Sequence, residues 1–82
     1  MNWLVNVYAD IPLEVPAKPL VERSPMFSYW ESVGGTTRRI TLTVPDTVAD
    51  NADSACEVAK RDVEERLTLL EGISDCTATP LD

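Results

Sequence analysis

The chain contains no histidine, and that absence removes much chemistry at once. Histidine is the commonest general base, the commonest metal ligand and the usual partner of a nucleophilic serine or cysteine. Cysteine is scarce, with 2 residues, Cys56 and Cys76. Small disulfide-framed domains carry four or more, and a structural zinc site needs four ligands, so neither is expected. Glycine is scarce too, and no GxxxxGK[ST] or GxGxxG run is present to cradle a phosphate. Asp50, Asp53 and Glu57 do not follow the calcium-loop pattern. From this inventory we expect no metal, no cofactor, no catalytic residue and no enzymatic activity. No apolar run approaches the roughly 18 residues of a membrane span. The opening segment, Met1-Asn2-Trp3-Leu4-Val5-Asn6-Val7-Tyr8, has no basic leader, long apolar stretch or small-residue cleavage site. The expected setting is the cytoplasm, with both thiols reduced.

What is present suffices for one domain. Of 82 residues, 44% are apolar and 26% charged, too apolar a balance for a disordered chain. A domain of this size buries only roughly 60–65% of its unfolded surface, so its core is thin.

Four strands and one helix are legible. Residues 2–9 alternate, with Trp3, Val5, Val7 and Ala9 on one face and Asn2, Leu4, Asn6 and Tyr8 on the other. Pro12, Pro16, Pro19 and Pro25 remove donors and disfavour helix, so residues 10–25 read as an extended loop and a candidate contact segment. Residues 26–33 form a second strand ending at Gly34-Gly35, a hairpin signal of type I′ or II′. Residues 36–44 form the third, with Ile40, Leu42 and Val44 inward and Arg39, Thr41 and Thr43 outward. A helix follows, carrying Ala52, Ala55, Cys56, Ala59, Val63, Leu67 and Leu70 on one face. Ser54 and Glu57 have capping-box spacing, with Asp50, Asn51 or Asp53 as other caps, and Gly72 is placed to end the helix. Glu57–Arg61, Lys60–Glu64, Arg61–Glu65 and Asp62–Arg66 are opposite charges four apart. Residues 73–79 form the last strand before Pro80.

This order predicts an α+β fold: a mostly antiparallel four-stranded sheet, β-loop-β-β-α-β, with one helix on one face. A right-handed crossover would make the third and fourth strands parallel. The architecture resembles a degenerate ferredoxin-like βαββαβ unit whose first helix is replaced by the proline loop. A helix from 56 to 71 would descend about 22 Å. A strand from 73 to 76 would climb back about 10 Å. The cysteines would then lie on the order of 12 Å apart, too far to bridge.

One sheet face is left uncovered, and neighbours on a strand alternate sides. Trp3 or Tyr8, and Tyr29 or Trp30, must therefore occupy it. Either Phe27 with Tyr29, or Met26 with Trp30, fills the core. The other set, with Trp3 and Tyr8, is a candidate protein interface, since Trp, Tyr and Met are enriched at interface centres. Charge divides unevenly. Residues 1–45 hold four acids and four bases, whereas residues 46–82 hold ten acids and three bases, so the whole net charge of −7 lies in the second part. Glu57, Glu64 and Glu71 represent this acidic face, and direct binding to nucleic acid is not expected.

The leading expectation is a small non-enzymatic accessory or regulatory module. It would bind another protein or itself, as a homodimer, through the open face and the proline loop. One alternative is an acidic inhibitor of a nucleic-acid-binding protein; another is a structural part of a larger assembly. Arginine outnumbers lysine five to two, which leans toward a GC-rich bacterial or viral genome. In style the chain looks like the small accessory proteins of bacteriophages.

Overall fold

The computed structural model describes residues 2–12, 24–66 and 72–81. The N-terminal alternation becomes strand β1, Trp3–Asp10. Its Val5, Val7 and Ala9, with Ile11 beyond, are fully buried, while Leu4, Asn6 and Tyr8 keep partial exposure on the other face. Strands β2 (Phe27–Gly34) and β3 (Thr37–Val44), helix α1 (Ala52–Arg66) and strand β4 (Gly72–Pro80) follow. The sheet runs β2-β3-β1-β4 with every neighbouring pair antiparallel. Strands β3 and β4 therefore point the same way, with β1 between them. The α+β sheet with a single helix is as the sequence predicts, and its order is compatible with a ferredoxin-like unit. Residues 13–23, most of the proline loop, lie outside the described residues.

Helix α1 packs on β4, β1 and β3. Ala55, Ala59 and Val63 meet Val5, Val7, Ile40, Leu42 and Val44 in one core. The two alanines, both fully buried, allow the first turns to sit close on the sheet. Each buried Val, Leu or Ile contributes roughly 1.5–3 kcal/mol. Leu67 and Leu70 lie outside the described residues.

Local chemistry decides between readings of the sequence, or departs from them, at four points. Asn51, not Ser54, caps the helix: its Oδ1 accepts the Ser54 N–H at 2.8 Å, and its carbonyl accepts the Ala55 N–H. Gly72 opens β4 opposite Asp10, and residues 67–71, through which it would end the helix, lie outside the described residues. The hairpin turn is centred on Gly35-Thr36, one residue later than Gly34-Gly35. Gly35 has φ +55° and, among the described residues, no non-glycine residue has positive φ, the sign pattern of a type II′ turn. A register shift between Phe27 and Tyr29 breaks the alternation of β2. Phe27 and Trp30, not Phe27 and Tyr29, consequently share the core side, with Met26 packed beside them. Finally, the cysteines are neighbours: the Cys76 thiol donates to the Cys56 carbonyl at 3.9 Å. From Cys56 to Arg66 the helix descends about 15 Å. From Gly72 to Cys76 the strand climbs back about 13 Å, so the two heights match.

Candidate docking surface

The register assembles the sheet face opposite α1 in rows. One row crosses all four strands as Glu31, Arg39, Tyr8 and Asp75. The next runs Tyr29, Thr41, Asn6 and Thr77, and a third places Leu4 between Thr43 and Thr79. Among the described residues, no helix or strand packs on this face. It is polar and threonine-rich, not the apolar face that alternation in the first two strands alone suggests. The reason lies in β3 and β4, whose outward positions carry Thr37, Arg39, Thr41, Thr43, Thr77 and Thr79.

Side-chain bonds hold the rows in place. Arg39 donates to the Glu31 carboxylate and lies opposite Tyr8, whose hydroxyl acts on it. Tyr8 and then the Glu31 charge outweigh desolvation and raise the Arg39 pKa above its ordinary value. Thr41 donates to Asn6 Oδ1 at 2.8 Å, and Thr37 donates to Asp10 Oδ1 at 2.8 Å. Thr41 is only 2% exposed, so its hydroxyl needs that partner. Tyr29 is exposed on this face, at 48%.

The five residues expected at an interface fall on two faces. Tyr8 and Tyr29 lie together on the open one. Trp3, Met26 and Trp30 lie on the helix side, each packed against the core. The Trp3 indole N–H donates to the Ala49 carbonyl at 3.1 Å, and the Arg38 guanidinium stacks 5.2 Å from the Trp30 ring centroid. Sequence reasoning does not single out Arg39 and Glu31 as a pair. Opposite charge on consecutive strands was the available signal, but their pairing depends on a bulge.

The acidic residues gather elsewhere. A groove of about 610 Å³ opens between α1 and β4, lined by Asp53, Glu57, Glu64 and Asp75 together with Lys60 and both cysteines. Glu57 is ion-paired with Lys60 at 3.1 Å, three residues away, and that bond raises the lysine pKa. Of the expected four-apart pairs, Asp62–Arg66 forms at 3.0 Å, with Asp62 buried beneath Ser24. Glu71 lies outside the described residues. Among the described residues, no three His, Cys, Asp or Glu side chains could together hold a metal ion. No helix of the described chain is long and apolar enough to cross a membrane. Compared with known protein families, curated proteins and solved structures, the chain matches none.

Proposed function

We propose that the chain is a non-enzymatic protein-binding module that docks reversibly through its open sheet face, with Tyr29, Tyr8 and Arg39 at the contact. The observation that carries this reading is the row Glu31–Arg39–Tyr8 beside an exposed Tyr29 on a face that α1 leaves bare. Tyr and Arg are the residue types that dominate binding hot spots. Their geometry is fixed before contact by bonds within the face, which lowers the ordering cost of association.

Size and polarity favour a transient partner. Four strands at about 4.8 Å spacing and eight residues at about 3.3 Å give a face of roughly 500 Å². A stable complex buries about 800 Å² per partner, and permanent interfaces are more apolar than this threonine-rich surface. The free thiols suit a cytoplasmic setting, and the small size suits an accessory protein of the bacteriophage kind.

A photo-crosslinking residue placed at Tyr29 tests the reading, with Arg61 on the exposed side of α1 as control. Specific adducts from position 29, lost in Arg39→Glu, are expected in cell extract. Light scattering of the purified chain distinguishes a second copy from a different partner. Equal crosslinking from Arg61 would refute the reading. Binding that weakens steeply with salt and survives Tyr29→Ala would favour the acidic face instead.

A further inference from the structure

Cys56 lies on the second turn of α1 and Cys76 in the middle of β4, so their pairing is a product of the fold. Both are free and half-buried. The Cys76 Sγ sits 3.9 Å from the Cys56 carbonyl oxygen, and the Cys56 side chain is near enough to help raise the Cys76 pKa. Both line the open groove between α1 and β4, so a small molecule can reach them from solvent. Lys60 lines the same groove, and its charge partly offsets the rise in the Cys76 pKa.

We propose that Cys56 and Cys76 form a reversible redox pair, oxidised by a low-molecular-weight disulfide of the glutathione class to an intramolecular disulfide that ties α1 to β4. In the first step the Cys56 thiolate attacks one sulfur of the external disulfide, the S–S bond breaks, and one thiolate leaves. In the second, Cys76 gives its proton to solvent and attacks the Cys56 sulfur, displacing the second thiolate. Two protein thiols lose two electrons and two protons, and the external disulfide becomes two thiols. Cys76 is the resolving group because burial, reinforced by Cys56, holds its thiol protonated. A glutathione-poised cytoplasm keeps the pair reduced, and an oxidising shift closes it.

The test equilibrates the intact reduced protein with mixtures of oxidised and reduced glutathione, followed by mass spectrometry and peptide mapping. The expected product is a monomer lighter by two hydrogens, with Cys56 and Cys76 peptides linked and reopened by dithiothreitol. Closing a loop of this length should raise the melting temperature by about 10 °C or more. Cys56→Ser and Cys76→Ser should each stop at a single glutathione adduct with no such rise. Two unreacted thiols at equilibrium, a doubly glutathionylated monomer, or a disulfide-linked dimer in the wild-type protein would each overturn the proposal.

Discussion

Asp62 is the side chain whose removal should cost this fold most for its exposure on paper. Its place in the helix reads as a solvent-facing ion-pair member, yet it is 7% exposed. One carboxylate oxygen accepts the Ser24 hydroxyl at 2.5 Å and the other accepts the Arg66 Nε–H at 3.0 Å. Ser24 lies just ahead of β2, so this carboxylate ties the chain returning to the sheet onto α1. A hydrogen bond to a charged group contributes about 1.5–3 kcal/mol, and an orphaned buried hydroxyl costs about 1–3 kcal/mol. Part of that loss is offset because Asp62→Ala no longer desolvates a carboxylate. The net expectation is a loss of about 2–4 kcal/mol. Set against about 4–12 kcal/mol for a domain of 82 residues, this is a large fraction. In urea, with a slope of about 1 kcal/mol/M, the midpoint should fall by about 2–4 M. Asp62→Asn keeps an acceptor for Ser24 and should lose about half as much. Glu64→Ala, on the exposed side of the same turn, should stay within about 0.5 kcal/mol of wild type. A double-mutant cycle with Ser24→Ala should return a coupling of about 0.5–3 kcal/mol. A neutral Asp62→Ala with zero coupling to Ser24 would refute the reasoning.

Asn51→Ala removes the acceptor for the Ser54 N–H and should lower stability by about 1 kcal/mol, read from the urea midpoint, with Asn51→Asp close to neutral. Gly35→Ala meets no atom within 4 Å of its new Cβ, yet it must hold φ +55°, so a loss of about 1–2 kcal/mol from backbone alone is expected. Gly35→Asn should recover part of it. The Cys76 thiol is pushed up to about 12, chiefly by burial, from an ordinary 9.0. The fold favours its neutral form, so that stabilisation is full below pH 9 and is lost as pH rises from about 9 to about 12. Urea midpoints should fall across this window more steeply in wild type than in Cys76→Ser, and parallel curves would count against it.

Periodicity made most of the fold legible. The alternation of β1 and β3, and the 3.6-residue period of α1, each bury one face and so specify it. Three kinds of feature escaped. The height match between Cys56 and Cys76 needs the ends of α1 and β4, which are the least specified parts of an element. The burial of Asp62 depends on Ser24, 38 residues away in sequence, and no local pattern carries such a contact. The Asn51 cap was one of several candidates within four residues, all chemically able to accept the same N–H.

A further miss concerns β2, where alternation gives the wrong answer for a physical reason. Folded about Gly35-Thr36 with no irregularity, the hairpin would set Glu31 opposite Ile40, on the core side. The register shift between Ser32 and Gly34 moves Glu31 opposite Arg39, where it finds a cation and water. A second shift, between Phe27 and Tyr29, sets Phe27 opposite Leu42 in place of Ser28, so an aromatic side chain and not a hydroxyl meets the core. A one-residue slip reverses every side chain of a strand, and a bulge applies that reversal from one point onward. Burial of a carboxylate or a hydroxyl without a partner costs several kcal/mol, more than an interrupted ladder at an edge strand. The first of these shifts also leaves Tyr29 and Glu31 together on the open face, beside Tyr8 and Arg39. The irregularity that keeps the Glu31 carboxylate out of a thin core is therefore also what assembles the row Glu31–Arg39–Tyr8.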